Sequence, residues 1–341
     1  MKVWLPSVRA NSGGDVYVER LAELLKNVGC EVETTWFPLN RELTPWRLAS
    51  VSPPEGTDVI HAVSWNAFAF RSNPQPLVVT VHHCVRHLGF PAWKGPLQAI
   101  YHNAWIGRFE AKSFACADAI VGVSESASEE VEKEFGVRGK IRVIENWLDT
   151  DTYSPLISPE AGPRRVLWVG NMTRRKGADL LAALRGCLDS TIELNIVAGR
   201  RAQTAGLERL GPGVKIWPRL SEAELIGLYR SCDVTISLSR HEGFGYTALE
   251  AMSCGRPVVA FDSTGIRDVV RHEETGILCP LEDVQSVADA CRRLIEQPGL
   301  ARCMGAAGRA RALARFGPQR AGQAYTDLYE ALVRAGRKQS S

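Results

Sequence analysis

Glu242 and Glu250 bracket a glycine-rich turn, Gly243-Phe244-Gly245-Tyr246-Thr247. The apolar run Val234 to Leu238 before it reads as a buried strand. Thr247 to Cys254 after it reads as a helix stopped by Gly255 and Pro257. No Ser, Thr, Asp or Asn at the turn caps this helix, so its first amides are free. Free amides and the positive end of the helix dipole suit an anion. An elongated ligand with hydroxyls at both ends and phosphates in the middle would fit between the two carboxylates. The plain alternative is a strand, a glycine turn and a helix with two exposed glutamates.

A second loop carries the complementary charge. Gly170-Asn171-Met172-Thr173-Arg174-Arg175-Lys176-Gly177 follows another apolar run and holds three consecutive cations. A phosphate there would meet Lys176 as a point charge and Arg174 or Arg175 as a fork. A solvated basic turn is the alternative. Neither a P-loop nor a G-x-G-x-x-G fingerprint is present, which argues against nicotinamide and flavin binding. Gly13 and Gly14, after the first strand, either let a ligand approach the backbone or form a plain tight turn. His82 and His83 close a buried strand. At the carboxyl end of a parallel strand, His82 would point into a cleft and reach a sugar or phosphate, unless it is satisfied locally. No Asp or Glu lies beside these histidines at ligand spacing, so a metal site is a poor reading.

The elements that must position these groups alternate. Lys2–Leu5, Cys30–Trp36, Asp58–His61, Leu77–Val81, Ala119–Val123 and Ile141–Ile144 read as strands with helical segments between them. Arg165–Val169, Ile192–Val197, Val214–Trp217, Val234–Leu238 and Pro257–Ala260 repeat the pattern. Continuous β-branched runs imply parallel sheets covered on both faces. Pro155, Pro159, Gly162 and Pro163 mark a linker. The expectation is therefore an α/β chain of two doubly wound domains, residues 1–155 and 156–318, with ligands in the cleft between them. The last helix, about 319–335, would pack back on the first domain.

Composition narrows the class. With 45% hydrophobic and 23% charged residues the chain reads as soluble, with no bilayer span and no signal peptide at Met1–Pro6. Nine scattered cysteines without C-x-x-C spacing point to reduced thiols and a cytoplasmic setting. Residues 1–155 carry a net −3 and the remainder +6, which favours the second half for a phosphorylated ligand. Basic residues are not interleaved with aromatics in one module, so nucleic acid is not expected as a partner. Seven of nine tryptophans precede the linker and read mostly as core. The exception is Pro91–Cys116, where Trp93, Trp105 and Phe109 mix with Lys94, Arg108 and Lys112 as in an amphipathic helix resting on lipid.

Taken together these motifs resemble the retaining glycosyltransferases of family 4, which have the GT-B fold of two Rossmann-like domains. Glu242-Gly243-Phe244-Gly245 with Leu249-Glu250-Ala251-Met252 is similar to the family's E-x7-E motif, and Gly255-Arg256-Pro257 follows in the expected place. Leu220 to Leu225, Tyr229 to Val234, Gly13-Gly14, Val81-His82, Ala117 to Ser124 and Ile144 to Asp149 fit as well. The resemblance implies that Glu242 holds hydroxyls of the donor hexose and Glu250 the nucleotide ribose. It implies that the amides of Phe244, Gly245 and Tyr246, beside Thr247, meet sugar and phosphates. Lys176 would neutralise the leaving diphosphate, His82 would contact the transferred sugar, and Gly13, Gly14, Gly170 and Asn171 would line the donor.

The implied activity is transfer of a hexose from a nucleotide diphosphate sugar, GDP- or UDP-linked, to a glycan or lipid-linked acceptor in cell-surface polysaccharide or glycolipid synthesis. No cofactor or metal is required, and peripheral contact with the inner membrane face is possible. Same-face attack, with the leaving phosphate deprotonating the acceptor, explains the lack of a nucleophilic carboxylate. Rival readings are a nucleotide-sugar epimerase, a phosphorylase, or a non-catalytic sugar-nucleotide-binding subunit. Three departures stand out. Asn171 replaces the family's usual Arg, Trp147 a common Gly, and Thr264-Gly265-Ile266-Arg267-Asp268 the usual G-G-x-x-E.

Overall fold

The computed structural model describes residues 1–10, 13–84, 101–137, 139–156, 164–198, 210–217 and 220–339. It divides into two compact units: Met1–Asn146 with Pro318–Ser341, and Trp147–Gly317.

In the first unit, β1 (Lys2–Val8) leads to α1 (Gly13–Asn27), β2 (Glu31–Phe37), β3 (Val59–Val63) and β4 (Leu77–Val81). Helix α2 (Gly107–Cys116), β5 (Ala119–Gly122), α3 (Glu125–Phe135) and β6 (Ile141–Val143) complete the sheet. The strand order is β2-β1-β3-β4-β5-β6, with every pairing parallel. Every residue of β3 and β4 is buried, as a parallel sheet covered on both faces demands. Trp4, Ile60, Val79, Phe114 and Ile120 join one core.

The second unit repeats the plan. Its elements are β7 (Arg165–Gly170), α4 (Leu181–Cys187), β8 (Glu193–Ala198), β9 (Val214–Trp217), α5 (Glu222–Ser231) and β10 (Val234–Ser237). There follow α6 (Tyr246–Ser253), β11 (Val258–Phe261), α7 (Ile266–Val269), β12 (Gly276–Cys279), α8 (Val284–Glu296) and α9 (Pro298–Arg315). The parallel order is β12-β11-β10-β7-β8-β9. Strand order reverses between β7 and β10, and ligands of such sheets bind beyond the carboxyl ends at that switch point.

Helix α10 (Pro318–Gln339) then returns to the first unit. It lies so close to α1 that a side chain at Gly322 would come within 2.6 Å of Val28.

Some details depart from the sequence reading. β12 is an additional edge strand, too short and too glycine-bearing to show a strand pattern. The contact division falls at 146/147 rather than 155/156, because residues 147–154 are bonded into the second unit. Tyr153 donates to Glu222 at 3.1 Å, and the Ser154 carbonyl accepts from Arg230 at 2.6 Å. Trp4 and Trp147 are core, whereas Trp46 and Trp105 are 48% and 37% exposed. The lipid-facing helix expected over 91–116 lies partly outside the described residues. Its described part runs through a π-helical turn (Tyr101–Ile106) into α2, with Arg108 and Lys112 exposed. No helix of the described residues is long and apolar enough to cross a membrane.

Candidate functional site

In the second unit the two loops singled out by sequence leave the neighbouring strands β7 and β10. Thr173 caps a short 3-10 turn, Arg174–Lys176, and Gly177 ends it with φ +73°. A Cβ at Gly177 would lie 2.3 Å from the Leu238 carbonyl oxygen, so only glycine lets this turn press against the end of β10. Arg240, buried at 5% exposure, fastens the two loops. Its amide donates to the Arg175 carbonyl at 2.9 Å, and its guanidinium donates to the Arg174 carbonyl. The same guanidinium forks onto Asp179 at 2.7 and 3.1 Å and also pairs with Glu282. The hydrogen-bonded Glu282 carboxylate, more than any other neighbour, raises the Arg240 pKa. Sequence reading missed Arg240, because nothing local separates it from a solvated arginine.

The fastening brings Lys176 onto Glu242. The ammonium pairs with Oε1 of Glu242, Ser239 donates to the same oxygen at 2.7 Å, and Arg175 reaches Oε2 at 3.3 Å. Arg175 also donates to the His241 carbonyl at 2.9 Å. Burial would push the Glu242 carboxyl upward, but the Lys176 charge, then Arg175, outweigh it and hold the pKa at about 2. Glu242 is thus the counter-ion of two cations. Arg174 instead turns outward, its side chain 68% exposed and 3.7 Å from Asp179.

Beyond Glu242, Gly245 adopts φ +105° and no side chain caps α6. Gly265 explains how the turn is supported. A Cβ there would lie 2.7 Å from both the Glu242 carbonyl oxygen and the Phe244 amide nitrogen, so the 264–268 loop packs directly beneath 242–244. Phe244 is buried edge-on against Tyr246 and Phe316, at 5.3 and 5.6 Å. One turn into α6, Glu250 accepts from the fully buried Tyr229 hydroxyl at 2.8 Å.

A cavity of about 480 Å³ opens at the carboxyl ends of β7 and β8. Gly170, Asn171, Lys176 and Thr247 line it, four residues the sequence reading assigned to the donor. Val197, Ala198, Leu220 and Leu225 add an apolar wall, and Ser221 and Glu222 a polar rim. Ser221 and Glu224 form a capping box on α5, so that helix start is satisfied by its own side chains while α6 is not.

The first unit holds the other candidates. Gly13 and Gly14 open α1, and a Cβ on Gly13 would meet nothing within 4 Å, so packing does not demand glycine there. His82 follows β4, its ring edge-on to Tyr17 at 4.4 Å. Its Nε2 is buried and has no partner among the described residues. Burial lowers its pKa to about 4, so the imidazole is neutral at pH 7.

Comparison with known proteins agrees with this architecture. Residues 34–152 match the family model described as Glycosyltransferase Family 4, and residues 163–297 that of Glycosyl transferases group 1. The chain is 28% identical over 302 residues to glycogen synthase of Mycobacterium tuberculosis, covering 82% of this chain and 70% of that one. It is 28% identical over 301 residues to D-inositol 3-phosphate glycosyltransferase of Xylanimonas cellulosilytica, covering 80% and 71%. Among solved structures it resembles sucrose-phosphate synthase from Thermosynechococcus elongatus, with a TM-score of 0.83 at 22% identity over 98% of this chain and 100% of that one. HepE of Anabaena in complex with UDP matches with a TM-score of 0.77 at 20% identity over 97% and 100%.

Proposed function

The chain belongs to the group 1, family 4 glycosyltransferases, and on that premise we propose that it moves a hexose, with retention of configuration, from a nucleoside diphosphate sugar to a glycan or lipid-linked acceptor. The observation that carries this reading is the cationic turn held on Glu242 beside the cavity and the uncapped start of α6. HepE has been solved with UDP-glucose, which supports a nucleoside diphosphate sugar as the donor.

In this reading the diphosphate lies against Lys176, Arg175 and the first amides of α6, with Gly170 and Asn171 at its back. Breaking the bond from C1 of the sugar to the diphosphate oxygen leaves its electron pair on that oxygen. Cations and amides already in place stabilise the growing charge without reorganising and without a metal. The acceptor oxygen bonds to C1 on the same face and passes its proton to the departing phosphate. Glu242 takes a hexose hydroxyl and Glu250 the ribose, and His82 is assigned to the transferred sugar. Its acceptors belong to cell-surface polysaccharide or glycolipid synthesis, reached at the cytoplasmic membrane face.

A thermal-shift panel of nucleotide sugars identifies the donor, since a bound ligand raises stability by mass action. Turnover should persist in EDTA. Lys176→Ala should lower kcat by ~10²-fold or more, the scale of one lost electrostatic donor. Near-normal turnover in that variant would sink the assignment.

A further inference from the structure

The first unit buries a chain of hydroxyl and imidazole groups that the proposed chemistry does not use. The Tyr329 hydroxyl lies 2.5 Å from Nδ1 of His61, and Nε2 of His61 lies 2.6 Å from Oγ1 of Thr80. Thr80 lies 3.1 Å from the Tyr17 hydroxyl, which lies 2.7 Å from the Tyr325 hydroxyl. All five side chains are buried. They come from four elements: α1, β3, β4 and the returning helix α10.

Burial lowers the His61 pKa to about 3, so the ring carries one N–H. One ring nitrogen therefore donates and the other accepts, and the hydroxyls of Tyr329 and Thr80 can serve either tautomer. The run is neutral, and every hydroxyl in it has a partner.

Its far end meets the sugar-side histidine. Thr80 and His82 are two residues apart where the chain leaves β4, so they share one side of it. The Tyr17 ring packs edge-on against the His82 ring at 4.4 Å with an 80° angle. Nε2 of His82 has no partner among the described residues, and the Tyr17 ring packs against the imidazole. A histidine χ2 lies in a broad well, so a ring packed edge-on against it helps to set its orientation. The hydroxyl of Tyr17, held from two sides, fixes where that ring lies.

We propose that Tyr17 is a positioning residue for His82, and that Tyr325 on the returning helix α10 acts on His82 through it. The proposal rests on the assignment of His82 to the transferred sugar. It makes the sugar-side group of the first unit depend on a helix that the chain supplies only after completing the second unit.

The test uses the full-length chain with 15N-labelled histidine and the variants Tyr325→Phe and Tyr17→Phe, which keep the rings and remove the hydroxyls. Long-range 1H–15N spectra should show the His82 ring resonances shifted or broadened in both, and Tyr329→Phe should move His61 instead. With the donor identified by thermal shift, Tyr325→Phe should lower kcat about 3- to 10-fold, the scale of one neutral hydrogen bond, at unchanged donor KM. In a His82→Ala background the same substitution should cost nothing further. Unaltered His82 resonances in a folded Tyr325→Phe protein, or equal losses in both backgrounds, overturn the proposal. If the wild type turns over no nucleotide sugar, the catalytic reading fails, while the spectra still decide whether Tyr325 and Tyr17 set the ring.

Discussion

Glu242→Gln tests the charge arrangement of the site most directly. Glu242 occupies Lys176 and Arg175, the cations proposed to meet a diphosphate. Its carboxyl is held at about 2 against an ordinary value of 4.5. That depression corresponds to about 3 kcal/mol in favour of the ionised form. The side chain is only 12% exposed, so solvent screens little of it. A diphosphate arriving at Lys176 and Arg175 must share their field with this carboxylate. Glutamine keeps the shape and removes the competitor. If about a third of the field reaches a ligand in the open cavity, UDP or GDP should bind roughly fivefold tighter, about 1 kcal/mol. Isothermal titration at low salt reads this directly. Sugar transfer should fall at the same time, because the amide is a poorer acceptor for a hexose hydroxyl. Acid titration gives a second readout. The folded pKa lies below the unfolded one, so this stability is complete above pH 4.5 and is lost as the pH falls toward 2. The variant's stability curve should be flatter across that window. UDP and GDP binding no tighter than wild type, in a variant that is fully folded, would refute the reasoning.

Gly177→Ala puts a methyl carbon 2.3 Å from the Leu238 carbonyl at a φ of +73°, and should cost about 2–4 kcal/mol in urea unfolding. Arg240→Met removes the fastener between the 174–176 turn and β10 and leaves Asp179 and Glu282 without their shared partner. Donor affinity should drop about tenfold and the midpoint of unfolding should fall, because the buried guanidinium that joins the two loops is lost. The exposed Trp46 and Trp105 rings, 6.1 Å apart, lie in a unit that also exposes Arg108 and Lys112. Vesicles rich in phosphatidylserine should float the protein at low salt and release it at about 0.5 M salt, where the Debye length shrinks to a few ångströms.

The strands were legible because parallel, doubly covered sheets require runs such as Val234 to Ser237 that announce themselves. So were the residue types of the site: a cationic turn after one strand, a carboxylate and glycines after another. Their pairing was not legible. Lys176 and Glu242 are 66 residues apart, and their meeting depends on a glycine that clears a carbonyl and on a buried arginine. Sequence reading placed Glu242 beside an anion; the structure pairs its carboxylate with Lys176 and Arg175, the cations proposed to hold that anion. It also left open whether Arg174 or Arg175 supplies the second cation. Packing separates them, because Arg240 holds both of their carbonyls while only Arg175 turns toward Glu242.

The two glutamates on either side of the start of α6 differ by what surrounds them. A carboxylate offers about four lone-pair sites. Lys176, Ser239 and Arg175 take three from Glu242, which leaves room for one ligand hydroxyl without releasing either cation. Holding the phosphate-binding charges and reading the sugar are therefore compatible tasks for one side chain. Both depend on the carboxylate staying ionised, which its partners ensure down to about pH 2. Glu250 is oriented by a neutral donor, the Tyr229 hydroxyl, whose own ionisation is suppressed first by burial and then by the Glu250 charge. On the proposed assignment the two glutamates, eight positions apart, meet different ligand hydroxyls, the hexose at Glu242 and the ribose at Glu250.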